Sequence, residues 1–391
     1  MLISGLYTVF MLYNNSMKTL KFKLYQHKRN KYLKRSINAA GVIYNHCIAL
    51  HKRYYRMWGK HLNCAKLQAH IAKIRKRKPF WQELGSQAVQ DICQRISIAY
   101  QLFFKHHKKG VRPPNFKKVR KYKSFTLKQA GYKFLGGNRV KIGNRVYQFW
   151  KSREIEGTIK TVTIKRTPLG ELFLAVVVVD NISDLEIKSA TGKIAGFDFG
   201  LKTFLTCSDG SQIESPQFLK QSLSLIKRAN RSHSKKVKGS ANRERARKNL
   251  VRKHEDVANR RSDWFWKLAH ELTDRFDVLC FETLNLKGMK KLWGRKVSDL
   301  AFREFTQILD WVATKKGKQV IYIDPWYPSS KTCSNCGHIL EKLDLETRVW
   351  RCPSCQSIND RDENAAINIC AVGASTVGLG DVRQSLTAIP A

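Results

Sequence analysis

Four cysteines stand as two Cys-x-x-Cys pairs, Cys333 with Cys336 and Cys352 with Cys355, and 15 residues lie between the pairs. Each pair brackets one tight turn. Four thiolates so spaced can close a tetrahedron around one zinc ion, the chemistry of a structural zinc ribbon. Three acids carry a second kind of chemistry. Asp198 ends the apolar run Ile194-Ala195-Gly196-Phe197 and is followed by Phe199-Gly200. Gly196 and Gly200 permit close backbone approach and a turn, so the carboxylate can project at a sheet edge. Glu282 ends a second apolar run, Val278-Leu279-Cys280-Phe281. Asp362 opens a short helix that includes Ala365, Ala366, Ile369 and Cys370. Carboxylates gathered from separate elements could hold two Mg²⁺ ions roughly 3.5–4 Å apart, which activate water and steady the leaving oxygen in phosphodiester hydrolysis. Singly, each acid has an ordinary use: Asp198 as a turn former, Glu282 as a strand-end charge, Asp362 as a helix N-cap. Jointly, beside a zinc knuckle, they favour catalysis. Asp360 and Asp324 are rival ligands, the latter closing a strand before Pro325.

The composition points the same way. The chain has 391 residues, 73 Lys+Arg against 30 Asp+Glu and a formal net charge of +43. Self-repulsion on that scale is relieved by a polyanion, and nucleic acid is the expected partner. Length implies two or three domains, and 42% hydrophobic residues suffice to bury real cores, which excludes general disorder. The other six cysteines, Cys47, Cys64, Cys93, Cys207, Cys280 and Cys370, are scattered in mostly apolar surroundings. They read as buried free thiols of a reducing compartment, and a cytoplasmic location follows. Residues 1–16 are apolar but lack a basic leader region and are too short to span a bilayer. Met17 then opens a basic strand-like stretch and is an alternative start; no later segment could cross a membrane.

The elements that must position these residues follow from periodicity. Leu20 to Tyr25 alternates apolar and basic residues, the pattern of a half-exposed strand. The spacing predicts helices over Asn38–Trp58 and Ser86–His106. From Lys105 to Lys128 inclusive there are ten Lys or Arg and no acid, with Pro113-Pro114, a loop leading into strands. Lys133 to Asp180 reads as a run of strands, the clearest being Leu172–Val179, and the break from Asp180 to Thr191 marks a domain boundary. Residues 220–261 hold fifteen Lys or Arg and three acids, split at Gly239-Ser240. Ala246, Leu250, Val257, Trp264, Leu268 and Leu272 keep a helical spacing beyond the split, so the helix packs one apolar stripe inward and offers a basic face to phosphates. Strands are expected at Asp277–Phe281 and Gln319–Ile323, with a helix at Ala301–Lys315 between them. The Gly-, Ser- and Thr-rich tail after Ala371 reads as disordered.

As a set these motifs resemble the TnpB family, transposon-encoded nucleases related to type V CRISPR effectors. The matching residues are Gly196-Phe197-Asp198-Phe199-Gly200, Phe281-Glu282-Thr283-Leu284-Asn285-Leu286, Ser329 through Gly337, Cys352-Pro353-Ser354-Cys355 and Asp360 through Ile369. Their order and spacing fit as well. The resemblance implies α/β plus β-barrel architecture. An RNase H-like RuvC nuclease domain would carry a zinc-ribbon insert, and an N-terminal wedge β-barrel would carry a helical recognition insert. It implies Asp198, Glu282 and Asp362 as the metal-binding acids. Asp362 is chosen over Asp360 because it precedes the x-Asn-x-Ala motif. It implies Cys333, Cys336, Cys352 and Cys355 as the zinc ligands of a target-nucleic-acid-binding insert. Residues 1–16 have no counterpart in the family pattern.

The implied partners are a guide RNA from the transposon end and target double-stranded DNA beside a short adjacent motif, with one copy of the chain per RNA. Base pairing would then read sequence while the protein reads shape and the motif. The expected organisation is a wedge domain at 17–37 and 111–190 around a recognition domain at 38–110. A RuvC-like domain at 191–326 contains the basic helical segment 218–275. The zinc insert at 327–356 precedes the last RuvC-like motif at 357–371 and the tail at 372–391. Candidate nucleic-acid contacts are Ser86, Gln87 and Gln90, where Gln can pair bidentately with adenine, then Lys117, Lys118, Arg120, Arg243, Arg247 and Arg348. Two other readings compete: a guided DNA-binding protein that does not cleave, and an accessory transposition protein. The intact acids argue against the first, and no persuasive Tyr or Ser nucleophile motif supports strand transfer by the second.

Overall fold

The computed structural model describes residues 17–179, 191–344, 346–376 and 378. The expected domain break at 180–190, the extension at 1–16 and the end of the tail lie outside them. Contacts divide the chain into two compact units, Met1–Ser183 and Asp184–Ala391.

In the first unit, strand β1 (Met17–Lys23) leads to helices α1 (Asn30–Trp58), α2 (Cys64–Lys76), α3 (Pro79–Gln82) and α4 (Ser86–His106). Six strands follow: β2 (Ser124–Leu127), β3 (Tyr132–Phe134), β4 (Arg139–Ile142), β5 (Arg145–Gln148), β6 (Thr158–Arg166) and β7 (Leu172–Val179). They form an antiparallel sheet ordered β1-β7-β6-β2 and a meander β3-β4-β5. Period-2 alternation buries Leu20, Phe22, Leu172, Leu174, Val176 and Val178 in one core shared with Ile37, Ile43 and Cys47 of α1. Helix α1 begins eight residues before the expected Asn38, because Leu33 and Ile37 carry its apolar stripe back to Asn30.

The expected barrel is corrected. Among the described residues the two sheets do not close on each other. They meet at a single bridge, Leu24 to Phe149, fastened by Tyr25 N–H to Gln148 O at 2.9 Å and Trp150 N–H to Lys23 O at 2.8 Å. The ladder stops there because the chain turns away into α1 on one side and into the loop before β6 on the other.

The second unit opens with β8 (Ile194–Phe199), β9 (Thr203–Cys207) and β10 (Gln212–Glu214). A basic helical hairpin follows, α5 (Phe218–Ser234) and α6 (Ala241–Arg275), and Ser240 Oγ caps α6 by accepting from Arg243 N–H at 3.1 Å. Then come β11 (Val278–Glu282), α7 (Leu286–Leu300), α8 (Phe302–Lys315) and β12 (Gln319–Ile323). A two-stranded ribbon, β13 (Val349–Arg351) and β14 (Ile358–Asp360), precedes helix α9 (Arg361–Thr376). The α9 helix runs past the expected stop at Ala371 because Gly373 and Ala374 are still packed inside. Helix α7 was not anticipated: it caps on the Asn285 side chain, whose Oδ1 accepts from Gly288 N–H, and Leu286, Met289, Trp293, Val297 and Leu300 in its sequence recur at the helical spacing of three and four that announces it.

The main sheet of this unit is ordered β10-β9-β8-β11-β12, antiparallel across β10-β9-β8 and parallel across β8-β11-β12. One face carries Ala195, Phe197, Phe199, Leu279 and Phe281, packed with Phe265, Leu268 and Phe305 of α6 and α8. The opposite face carries Cys280 and Ile323, packed with Ile369 of α9. That second contact is very close. A Cβ built on Gly196 would lie 2.1 Å from Ala366 O, and one on Gly373 would lie 2.2 Å from Cys280 Sγ. Gly196→Ala is therefore expected to destabilise this unit by about 3 kcal/mol, since neither helix backbone nor strand can yield cheaply. Gly294→Ala in α7, where nothing lies within 4 Å, is the control and should be neutral or slightly stabilising. Thermal melting followed by circular dichroism reads both; equal melting temperatures for the two variants would contradict the close contact.

Candidate functional site

The glycine contacts determine where the acids go. Phe197 and Phe281 are partners in the parallel β8–β11 register and stack at 5.0 Å on the α6/α8 face. Side chains alternate along a strand, so the next residues, Asp198 and Glu282, belong to the face that α9 covers. On α9, Asp362 precedes Ala366 by one turn, and Ala366, Cys370 and Gly373 continue the same packing stripe. Gly196 touches α9 at Ala366 and Cys370; Asp198 lies two strand residues further on and Asp362 one helical turn back, steps of about 6–7 Å each.

The electrostatics record this convergence. Burial pushes the Asp198 carboxyl up to about 7, and the negative charges of Asp362 and Glu282 add to the rise, with Arg361 opposing it. Burial also raises Glu282. Both shifts describe carboxylates short of a counter-charge.

The rivals resolve into structural roles. Asp360 Oδ1 accepts from the Asp362 and Glu363 N–H groups, both at 3.0 Å, so Asp360 caps α9 and leaves the Asp362 side chain free of that duty. Asp324 Oδ1 accepts from Trp326 N–H at 2.7 Å and holds the turn after β12. Asp362 instead meets Arg348, whose Nη1 donates to both carboxylate oxygens at 3.1 and 3.0 Å. The two residues are brought together by the ribbon, since Val349 pairs with Asp360 and Arg348 O accepts from Arg361 N–H at 2.7 Å.

At the ribbon tip the four cysteines converge. Cys333 Sγ lies 3.7 Å from Cys355 Sγ and Cys336 Sγ 3.6 Å from Cys352 Sγ, and all four sulfurs fall within 4.8 Å of one another. A tetrahedron with Zn–S bonds of about 2.3 Å needs sulfur separations of about 3.8 Å, so the donor set fits zinc in number, type and size. Among the described residues no three carboxylates reach that mutual closeness. The six remaining cysteines are free, five of them buried and Cys64 half-buried.

Sequence reasoning missed the residues that join the two centres. Asn364 and Asn368, one turn apart on α9, are buried. Their Nδ2 groups donate to Thr332 O, both at 2.7 Å, and to Ser329 O at 3.3 and 2.9 Å; Asn364 Oδ1 accepts from Ser334 N–H at 2.8 Å. The first cysteine turn is thus tied to the helix that carries Asp362. The signal available was two asparagines at helical spacing among Ala365, Ala366 and Ile369, polar residues with no propensity reason to sit there.

The remaining candidates are dispersed. Ser86, Gln87 and Gln90 lie in the first turns of α4, with Ser86 and Gln90 exposed. Lys117, Lys118 and Arg120 are exposed in the loop before β2; Lys117 N–H donates to Asn45 Oδ1 at 2.9 Å and its ammonium sits 4.7 Å from the Tyr44 ring centre. On α6, Arg247 is bound to Glu244 at 2.7 and 2.8 Å, and Arg243 donates to Lys236 O across the hairpin turn. Among the described residues no helix is long and apolar enough to cross a membrane.

Comparison with known proteins gives two family matches. Residues 176–292 match the family described as "Probable transposase", and residues 302–369 match "Cas12f1-like, TNB domain". A protein of Streptomyces pristinaespiralis named "Putative RNA-guided DNA endonuclease" is 30% identical over 89% of this chain and 87% of its own length. The Escherichia coli protein "Putative RNA-guided DNA endonuclease InsQ" is 24% identical over 90% of this chain and 91% of its own. The "TnpB-like protein L79" of Acanthamoeba polyphaga mimivirus is 34% identical over 46% of this chain and 37% of its own. Among solved structures, a chain of the "Cas12f1-sgRNA-target DNA complex" aligns over 91% of this chain and 99% of its own, at 16% identity and a TM-score of 0.34.

Proposed function

This chain belongs to the TnpB family of RNA-guided DNA endonucleases, and we propose that it is a transposon-encoded nuclease that hydrolyses target DNA with Asp198, Glu282 and Asp362. The observation that supports the site assignment is the packing of α9 on β8 at Gly196, one helical turn from Asp362 and two residues from Asp198, and the raised Asp198 carboxyl, which burial and then the charges of Asp362 and Glu282 push up, agrees with it. Three acids from β8, β11 and α9 sharing one field make a pocket that favours a cation. The sheet order, three antiparallel strands continued by two parallel ones with the acids at the strand ends, supports the RNase H-like reading of this unit. The net charge of +43 supports a polyanionic load of guide RNA and paired DNA.

Asp198, Glu282 and Asp362 would hold Mg²⁺, which supplies an activated water and charge stabilisation at the leaving 3′ oxygen. The residues themselves set the geometry. The parallel register pairs Phe197 with Phe281, so the next residues, Asp198 and Glu282, would lie side by side, and the close approach of α9 at Gly196 and Gly373 would bring Asp362 towards them. Zinc in the four-cysteine cluster would brace the ribbon that carries Arg348. The first unit would serve as wedge and recognition domains, and the assembly would work in the cytoplasm as one protein with one RNA.

Arg348 has a double use in this reading. Paired with Asp362 it neutralises one acid of the cluster; released, its guanidinium is free to meet a phosphate of the substrate. Arg348→Ala is expected to raise the Mn²⁺ affinity of the RNA-free chain about fivefold, the strength of one exposed ion pair, while lowering the cleavage rate. Titration followed by electron paramagnetic resonance reads the first effect; an unchanged or weaker affinity would show that the pair does not compete with the cation.

The function itself is tested by sequencing RNA that copurifies with the chain and programming that RNA against a matched duplex. Magnesium-dependent cutting of the matched duplex, and none of a mismatched one, is the expected result. Bound RNA with no cutting under any divalent cation would favour the guided binding protein instead.

A further inference from the structure

Trp58 leans on Tyr54, Trp150 on Tyr25 and Trp266 on Trp311, so each of these exposed indoles covers part of its surface with a second ring. Trp326 does not. It is 87% exposed, and among the described residues no ring lies against it. The loop that carries it is held at both ends beside the acids. On one side, Ile323 of β12 is the strand partner of Glu282, and Thr283 Oγ1 donates to Ile323 O at 2.7 Å. On the other, Ser329 O accepts from the Nδ2 groups of Asn364 and Asn368 at 3.3 and 2.9 Å, and Asn364 stands two residues after Asp362. Trp326 is three residues from each anchor. Neighbouring strands are about 4.8 Å apart and three residues span at most about 11 Å, so the Trp326 Cα is within about 16 Å of the Glu282 Cα. The turn between the anchors is fixed. Asp324 Oδ1 accepts from Trp326 N–H at 2.7 Å, and Asp324 O accepts from Tyr327 N–H at 3.2 Å. Tyr327 packs inward on the cluster of Cys280, Ile323 and Ile369, while Trp326 beside it is held out in solvent.

We propose that Trp326 is the stacking platform for one unpaired base of the DNA strand being cut, and so fixes which phosphate reaches Asp198, Glu282 and Asp362. The inference rests on the nuclease reading above and deepens it. Acids that hold cations draw the phosphate, and a flat apolar face a few nucleotides away suits a base of the same strand. The base is unpaired because a duplex keeps its base faces stacked on one another. Stacking on an indole is indifferent to base identity, so Trp326 sets cut position without reading sequence.

The test uses the full chain with its copurifying RNA and matched duplex targets, each bearing one abasic site at a different position near the cut. Trp326→Ala is expected to slow single-turnover cleavage about tenfold and to spread the cuts over neighbouring phosphates, and Trp326→Phe to do much less. One abasic position in the cut strand should slow the wild type by a similar factor and leave Trp326→Ala no slower. That coupling distinguishes base stacking from a merely structural role, and circular dichroism with zinc analysis checks that each variant is folded. Abasic effects that are equal in wild type and Trp326→Ala at every position, or unchanged rate and cut positions in Trp326→Ala, would overturn the platform while leaving the nuclease reading intact. Unchanged cutting together with loss of a wild-type dimer in Trp326→Ala would assign the indole to a second copy of the chain instead. A wild type that cuts no matched target loses the parent reading. Photocrosslinking of the chain to an oligothymidylate bearing one 5-iododeoxyuridine then decides the platform by itself: a crosslink at Trp326 upholds it, and crosslinks only elsewhere overturn it.

Discussion

Asp198→Ala is expected to lower DNA cleavage by on the order of 10³-fold or more while leaving RNA binding unchanged. The magnitude follows from the proposed role: if Asp198 holds the cation that would supply charge stabilisation and an activated water, its loss is worth several kcal/mol of barrier. Single-turnover cleavage of a matched duplex measures it, and cleavage near the wild-type rate would remove the site assignment. The isosteric Asp198→Asn separates chemistry from folding. Asp198 has a folded pKa of about 7 against an ordinary 3.8, so the fold favours its protonated form. Its contribution to stability is complete below about pH 4 and is lost as pH rises towards 7. Asparagine escapes that loss. In chelator, Asp198→Asn should therefore melt with wild type at pH 4 and above it from pH 7 upward, by at most about 4 kcal/mol. The dead enzyme would be the more stable protein, the sign expected when a carboxylate is held in a buried place and, beyond that, beside like charges. A variant destabilised equally at both pH values would mean that Asp198 is a structural residue.

Cys352→Ser should have the second large effect. Structural zinc in short cysteine-rich segments contributes apparent binding energies of about 10–16 kcal/mol at neutral pH, and here the rest of the ribbon's order comes from one short strand pair and the Asn364 and Asn368 ties to α9. Its apolar cluster is only Cys333, Trp350 and Cys352, with Leu340, Leu343 and Cys355 partly covered. The variant is expected to lose its single equivalent of zinc by atomic emission, to expose the ribbon to protease, and to lose cleavage. The last effect travels through named bonds: the ribbon presents Arg348 to Asp362, and Thr332 and Ser334 are tied to Asn364 and Asn368 of α9. The sheet unit should still melt cooperatively, because its two cores, one under α6 and α8 and one under α9, contain no zinc ligand. Zinc retained in Cys352→Ser, or absent from the wild type, would remove the ribbon assignment.

These two experiments also divide the molecule by the kind of information that specifies it. The cysteine centre was legible from residue type and spacing because each Cys-x-x-Cys pair is local: two ligands within one turn are close whatever the rest of the chain does. The same holds for β7, β12 and α4, whose apolar periods match the observed spans, and for the acids as ends of buried strands. What periodicity could not weigh was competition between chemically equal groups. Asp360 and Asp362 are two residues apart and both suit a cap or a ligand; the β13–β14 pairing put Asp360 on the helix N–H groups and turned Asp362 towards Arg348. The barrel was likewise beyond reach, because its closure depends on pairing between strands distant in sequence, and among the described residues the two sheets meet at the single bridge of Leu24 and Phe149. The convergence of Asp198, Glu282 and Asp362 belongs to the same class. Side-chain identity supplied the charges, but two glycines without a Cβ, Gly196 under Ala366 and Gly373 on Cys280, let a helix come close enough to make those charges feel one another. Chemistry that lies within one turn is written along the chain, and chemistry shared between elements is decided by how closely backbones can pack.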